Sequence, residues 1–156
     1  SVLTKLSECG VKFKIQNDEI TISKCKNLQT TDIKTEVFPG FPTDMQQVFT
    51  VLLAKANGIS TVTETIYESR FKSAELINTM GGKMKIKDNV LTIHGPVELK
   101  GKELYIPDLR GGAALVLAAL IADGTTYLDN ITLLLRGYED IVEKLQNVGA
   151  KIKIVE

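Results

Sequence analysis

Asp108 and Arg110 open the stretch Pro107–Thr125 (PDLRGGAALVLAALIADGT). Gly111-Gly112 follows, then an uninterrupted apolar run from Ala113 to Ala122. An acid, a planar cation and two glycines at a helix start can hold an anion. Free N–H groups and the helix dipole face it, the guanidinium pairs bidentately, and absent side chains admit close approach. A cap, a surface ion pair and a tight loop explain the same residues equally well. Asp44, in Pro42-Thr43-Asp44-Met45-Gln46, heads a second mostly apolar helix. By itself a Thr-Asp pair there reads as an N-cap with favourable dipole placement. Arg70 and Arg136 each follow a strand pattern and precede a short helix.

These residues sit at matching points of an internal repeat. Leu3–Cys9 reads as a short helix stopped by Gly10, and Val11–Gln16 alternates like a half-buried strand that turns at Asn17-Asp18-Glu19 and returns over Ile20–Ser23. Ala74–Gly95 repeats that order around Gly81, and Asp140–Glu156 begins it again around Gly149. Between the copies, Pro42–Ile66 and Asp108–Ile131 each give a charged start, an apolar helix, a Gly stop and a β-rich strand. Each is preceded by a short strand, near Asp32–Glu36 and Glu103–Ile106.

The expected unit is β-α-β-α-β-β, and a repeat of this kind decides the architecture. It predicts a single, truncated α/β domain of pseudo-threefold shape, with the apolar helices central and the sheets outside. Residues 1–24 form a partial first unit, 30–95 a full one and 102–156 a nearly complete one that stops after its fifth element. Pro42–Lys55 and Asp108–Ala122 are expected in the interior. Three arginines and two aspartates at equivalent ends predict one shared rim bearing Asp44, Asp108, Arg110 and Arg136.

The 156 residues carry zero formal net charge, which suggests neither a nucleic-acid footprint nor a membrane-surface patch. Cys9 and Cys25 lack neighbours at metal spacing and read as free thiols. His94 reads as structural. No secretory signal or transmembrane run is present, and the start at Ser1-Val2-Leu3 inside a helix pattern predicts a fragment.

Four ordered strings make the reading specific: Phe41-Pro42-Thr43-Asp44-Met45-Gln46, Glu64-Thr65-Ile66-Tyr67-Glu68-Ser69-Arg70-Phe71, Asp108-Leu109-Arg110 and Arg136-Gly137-Tyr138-Glu139. With them the whole chain resembles the C-terminal part of the UDP-N-acetylglucosamine enolpyruvyl transferase family. The resemblance implies an inside-out α/β domain, one of two that enclose the substrates in a cleft. The implied activity moves the enolpyruvyl group of phosphoenolpyruvate onto the 3′-hydroxyl of UDP-N-acetylglucosamine in cytoplasmic peptidoglycan synthesis, and so serves cell-wall biogenesis, cell shape and cell division.

By resemblance, Asp44 is the base near the sugar hydroxyl, and the main chain of Ile66 contacts the nucleotide sugar. Arg110 and Arg136 bind phosphoenolpyruvate, Asp108 orients a neighbouring arginine, and Arg70 is a further cleft arginine. Thr43 reads as cap chemistry. No cofactor or metal is implied. The implied partners are both substrates and an N-terminal domain that carries the reactive cysteine, so the fragment alone is expected to be inactive. The unpaired sheet edge of the incomplete last unit is open to self-association.

Two departures stand out. Leu133-Leu134-Leu135 replaces a polar residue before Arg136, and Gly111-Gly112 replaces a bulkier small pair. The sibling enolpyruvyl-shikimate-phosphate synthase, a non-catalytic module on the same scaffold and an RNA-processing relative are the competing readings. The strings, the retained acids and arginines, and the neutral charge weigh against them respectively.

Overall fold

A computed structural model of the chain describes residues 1–68 and 70–155. The first unit is α1 (Val2–Glu8) and a hairpin of β1 (Phe13–Gln16) and β2 (Glu19–Ile22), in the register Ile15 opposite Ile20. The second unit is complete: β3 (Ile33–Lys34), α2 (Thr43–Leu53), β4 (Gly58–Thr63), α3 (Lys72–Thr79), β5 (Met84–Lys87) and β6 (Val90–Gly95). Its four strands form one sheet in the order β3-β4-β6-β5, with β3 parallel to β4 and the other pairs antiparallel. The third unit is β7 (Glu103–Tyr105), α4 (Leu109–Ile121), β8 (Tyr127–Asp129), α5 (Thr132–Leu135) and α6 (Ile141–Asn147), with β7 parallel to β8.

The repeat is written into three identical helix ends. Gly10, Gly81 and Gly149 take φ of +80°, +110° and +94° after α1, α3 and α6. One residue further on, Val11, Gly82 and Ala150 each donate a backbone hydrogen bond of 3.0 Å to Leu6, Ile77 and Leu145 respectively. That six-to-one bond past a left-handed glycine satisfies a carbonyl the helix would leave bare. It turns the chain back so that a strand can begin.

The third unit departs from the expected order. An extra short helix, α5, precedes Arg136, the expected short helix is α6, and Lys151–Val155 form no strand; Glu156 lies outside the described residues. A strand persists only where a neighbour takes its hydrogen bonds, and none of the described strands flanks this segment.

The core runs from the second-unit sheet to the α2–α4 interface. Phe49, Val51 and Leu53 of α2 and Ala113, Ala114, Leu115, Val116 and Ala118 of α4 are buried. The expectation that α4 is interior on every side needs correction. Leu117, Leu120 and Ile121 are 39%, 37% and 44% exposed. The helix packs on α2, α3 and α5, which leaves one apolar face uncovered among the described residues.

Gly111 and Gly112 also answer to packing rather than to ligand access. Both are buried. A Cβ on Gly112 would stand 2.8 Å from Ile106 Cγ2, and one on Gly111 would stand 3.0 Å from Asp108 Oδ2.

Candidate functional site

Asp44 lies in the first turn of α2, where an acid is favoured by the helix dipole. It is not a cap: Pro42 holds that position and no side chain bonds the free N–H groups. Both its oxygens go to arginines instead. Arg70 Nη2 donates to Oδ1 at 3.0 Å and Arg110 Nη2 donates to Oδ2 at 2.6 Å. The hydrogen bond from Arg110 holds the Asp44 carboxyl below the ordinary carboxylate range; slight burial opposes this and the Arg70 bond adds to it. The same bond, with a second that Arg110 donates to Tyr138, makes the guanidinium still harder to deprotonate.

Each arginine is also supported by an aromatic ring. The Arg70 guanidinium carbon lies 4.7 Å from the centre of the Tyr67 ring, and that of Arg110 lies 5.8 Å from the Tyr138 ring. Arg110 Nη1 donates to the Tyr138 hydroxyl at 3.1 Å. Arg70 Nη1 donates to Thr43 Oγ1 at 2.7 Å, so Thr43 serves this cluster and not the helix cap. α2, the loop after β4, α4 and the loop after α5 therefore meet at one rim.

Asp108 takes the cap, one of the readings its position offered: its Oδ1 accepts the Gly111 N–H at 2.8 Å. Gln47 Nε2 donates to the same oxygen at 3.4 Å, while Gln47 Oε1 accepts from Ser73 at 2.6 Å. This buried amide ties α2, α3 and α4 behind the rim.

Arg136 ends α5, is exposed and makes no side-chain hydrogen bond or salt bridge among the described residues. It stands two residues before Tyr138, and no side-chain bond joins it to Asp44, Arg70 or Arg110 among the described residues. Gly137 between them leaves room for Leu109, since a Cβ there would sit 2.7 Å from Leu109 Cδ2. Ile66 is 40% exposed, and its N–H donates to Glu64 Oε1 at 2.8 Å. Ser69 of the second string lies outside the described residues.

The sequence reading missed Glu64, Gln47, Tyr67 and Tyr138 as participants. Glu64 carried a signal, a carboxylate directly after a strand of β-branched residues. Its hydroxyl partners, Thr35 and Thr43, lie too far along the chain for spacing to reveal them. His94 stands exposed in β6, and Cys9 and Cys25 are unpaired thiols, with burial pushing Cys9 up to about 11. Among the described residues no acid or thiol cluster could hold a metal, and no helix is long and apolar enough to cross a membrane.

The sequence profile of EPSP synthase (3-phosphoshikimate 1-carboxyvinyltransferase) matches residues 1–145. The UDP-N-acetylglucosamine 1-carboxyvinyltransferase 2 of Listeria monocytogenes serotype 4b (strain F2365) is 47% identical over 151 residues, which are 97% of this chain and 36% of that protein. The protein of the same name from Bacillus anthracis is 47% identical over 152 residues, 97% of this chain and 35% of its own length. The crystal structure of the enolpyruvyl transferase NikO from Streptomyces tendae superposes with a TM-score of 0.90 at 33% identity, covering 97% of this chain and 35% of that one. EPSP synthase from Acinetobacter baumannii, at TM-score 0.59 and 18% identity over 81% of this chain and 31% of that one, shares the fold. The chain spans about a third of the length of the curated relatives it matches.

Proposed function

The chain belongs to the EPSP synthase family of carboxyvinyltransferases, and from that membership we propose that it forms one wall of a site that transfers enolpyruvyl from phosphoenolpyruvate to the 3′-hydroxyl of UDP-N-acetylglucosamine. The observation that carries this reading is the Asp44 carboxylate held between Arg70 and Arg110. A base beside two cations suits an acceptor hydroxyl and an anionic donor.

In this reading the 3′-oxygen bonds to C2 of phosphoenolpyruvate while Asp44 takes the hydroxyl proton, and the methylene carbon gains a proton. Loss of a methyl proton and of phosphate then restores the double bond. Arg110 and Arg136 hold the carboxylate and phosphate of the donor, Arg70 orients Asp44, and the Ile66 main chain meets the nucleotide sugar. Asp108 acts at one remove by fixing the start of α4, and with it Arg110.

The closed ion pair also supplies a sequence of events. With Oδ2 occupied by Arg110, Asp44 is a weak base. An anionic donor competes for that guanidinium, and its capture of Arg110 frees the carboxylate and restores basicity.

The remaining cations and the proton donor for the methylene carbon belong to a second wall, outside this chain. An open wall leaves phosphate and carboxylate hydrated, which weakens each arginine contact. A cytoplasmic role in peptidoglycan synthesis, and through it in cell shape and division, follows from the same reading.

The test is an amide-shift titration of isotope-labelled chain with UDP-N-acetylglucosamine, and separately with shikimate 3-phosphate. The reading expects shifts centred on Asp44, Ile66 and Tyr67 with the nucleotide sugar alone. Shifts at those residues with shikimate 3-phosphate alone would transfer the chain to the sibling activity.

A further inference from the structure

Glu64 is 2% exposed and stands just beyond β4, yet among the described residues it touches no cation. Everything that reaches it is a neutral donor. Oε1 accepts from Thr35 Oγ1 at 2.8 Å, from the Ile66 N–H at 2.8 Å and from the Tyr67 N–H at 3.1 Å. Oε2 accepts from Thr43 Oγ1 at 2.9 Å. Its main chain is clamped as well, because its N–H bonds Asn89 O at 2.9 Å and its carbonyl accepts from Asn89 Nδ2 at 3.1 Å. Burying a carboxylate is costly, and where only stability is at stake an apolar side chain often serves as well.

The hydrogen bonds of Glu64 lead to the site. Thr43 has one hydroxyl proton, and giving it to Glu64 leaves its lone pairs facing outward. Arg70 Nη1 donates to that oxygen at 2.7 Å. The direction of the chain Arg70–Thr43–Glu64 is thereby fixed by the carboxylate. The second support of Arg70 is the Tyr67 ring at 4.7 Å, and the Tyr67 amide is one of the groups Glu64 holds. Arg70 then meets Asp44 Oδ1 at 3.0 Å. Apart from Asp44 itself, both supports of Arg70 trace back to this one buried acid.

We propose that Glu64 is a positioning residue: through Thr43 and the Ile66–Tyr67 peptides it sets the placement of Arg70, Asp44 and the Ile66 main chain that the nucleotide-sugar site uses. This rests on the functional reading above. Glu64 meets no reacting atom and acts through Arg70 and the turn. A carboxamide at this position keeps the size but offers one acceptor oxygen in place of two. It therefore either abandons Thr43 or abandons the two amides.

The experiment compares wild type, Glu64→Gln, Thr43→Val and Thr43→Ser in the full chain, with the Asp44 carboxyl followed by carbon NMR against pH. The groups that face this carboxyl are Arg70 from the loop after β4 and Arg110 from α4, the latter backed by Tyr138. Asp123, paired with Lys100 elsewhere, is the internal control. Glu64→Gln and Thr43→Val are expected to move the Asp44 titration up toward the ordinary carboxylate range, with Thr43→Ser close to wild type and Asp123 unmoved. Affinity for UDP-N-acetylglucosamine should fall about tenfold or more in the same two variants, the scale of lost outer-shell support.

Should Glu64→Gln fail to fold, Thr43→Val against Thr43→Ser still decides, because it removes the hydroxyl that joins Glu64 to Arg70 and leaves the Ile66 and Tyr67 amide bonds of Glu64 in place. An unmoved Asp44 titration in Thr43→Val overturns the positioning role. A moved titration in a chain whose wild type takes up no nucleotide sugar supports the positioning geometry and overturns the functional reading instead.

Discussion

Arg110 reaches 66 residues back along the chain to Asp44, with Nη2 and Oδ2 2.6 Å apart. The contact joins the first turns of α4 and α2, the two helices that pack against each other in the core. A pair made by two packed helices is placed by the core and needs no loop to order it. Side-chain exposures of 30% and 50% still leave it open to a ligand.

Acid should weaken the fold partly through Asp44. Its native pKa is lowered, so its stabilisation is complete above the unfolded-state value near 3.9 and is lost as pH falls through the native one. The carboxylate is half exposed, so the share is that of a surface pair, about 1 kcal/mol or less. Urea unfolding of wild type and Asp44→Asn between neutral pH and pH 3 checks this. The difference should shrink as the pH drops, and a constant difference would contradict it.

The two faces of α4 should respond differently to truncation. Leu115 is fully buried and Leu117 is 39% exposed. Leu115→Ala is expected to cost about 2–5 kcal/mol, and Leu117→Ala clearly less. Equal losses in denaturant unfolding would place the helix in a different rotation.

Gly112→Ala should destabilise although alanine favours helix. The added methyl meets Ile106 Cγ2 at 2.8 Å, and Ile106 is fully buried. Overpacking of roughly 1–3 kcal/mol outweighs a propensity gain of about 1 kcal/mol. A raised melting temperature would refute the packing account of the glycine pair.

The repeated helix ends should not be equally tolerant. Gly149→Ala meets nothing within 4 Å and carries only the left-handed backbone cost of roughly 1–2 kcal/mol. Gly81→Ala bears that cost and also drives a methyl to 2.9 Å from the Glu98 carbonyl oxygen. Thermal unfolding should rank Gly81→Ala as the more damaging change.

The architecture was legible because its signals are local. Three glycines after three short helices, two alternating hairpins and two apolar helices fall at one period, and each needs only its near neighbours to take shape. The rim was half legible. Asp44 and Arg110 were picked out, but nothing in the chain says that their side chains meet, because that contact depends on how α2 and α4 pack. Asp108 stays open between two readings for the same reason: a cap and an ion-pair partner look identical until the Gly111 N–H is seen to take its oxygen. Glu64 was passed over because its importance lies in donors contributed from Thr35 to Tyr67. The strand expected over the last residues has the correct alternation, but alternation cannot supply the neighbour that a strand pairs with.

Asp44 on this wall is expected to serve enolpyruvyl transfer only opposite a second wall. The direct measurement is phosphate release from phosphoenolpyruvate with UDP-N-acetylglucosamine. It compares the chain alone with a chimera in which the chain replaces the matching third of the Listeria monocytogenes relative. The chain alone is expected to show no turnover. The chimera is expected to turn over only with both substrates, at a rate that falls about 10²-fold or more with Asp44→Ala. Robust phosphate release from the chain alone, or a chimera indifferent to Asp44→Ala, would contradict this role of Asp44.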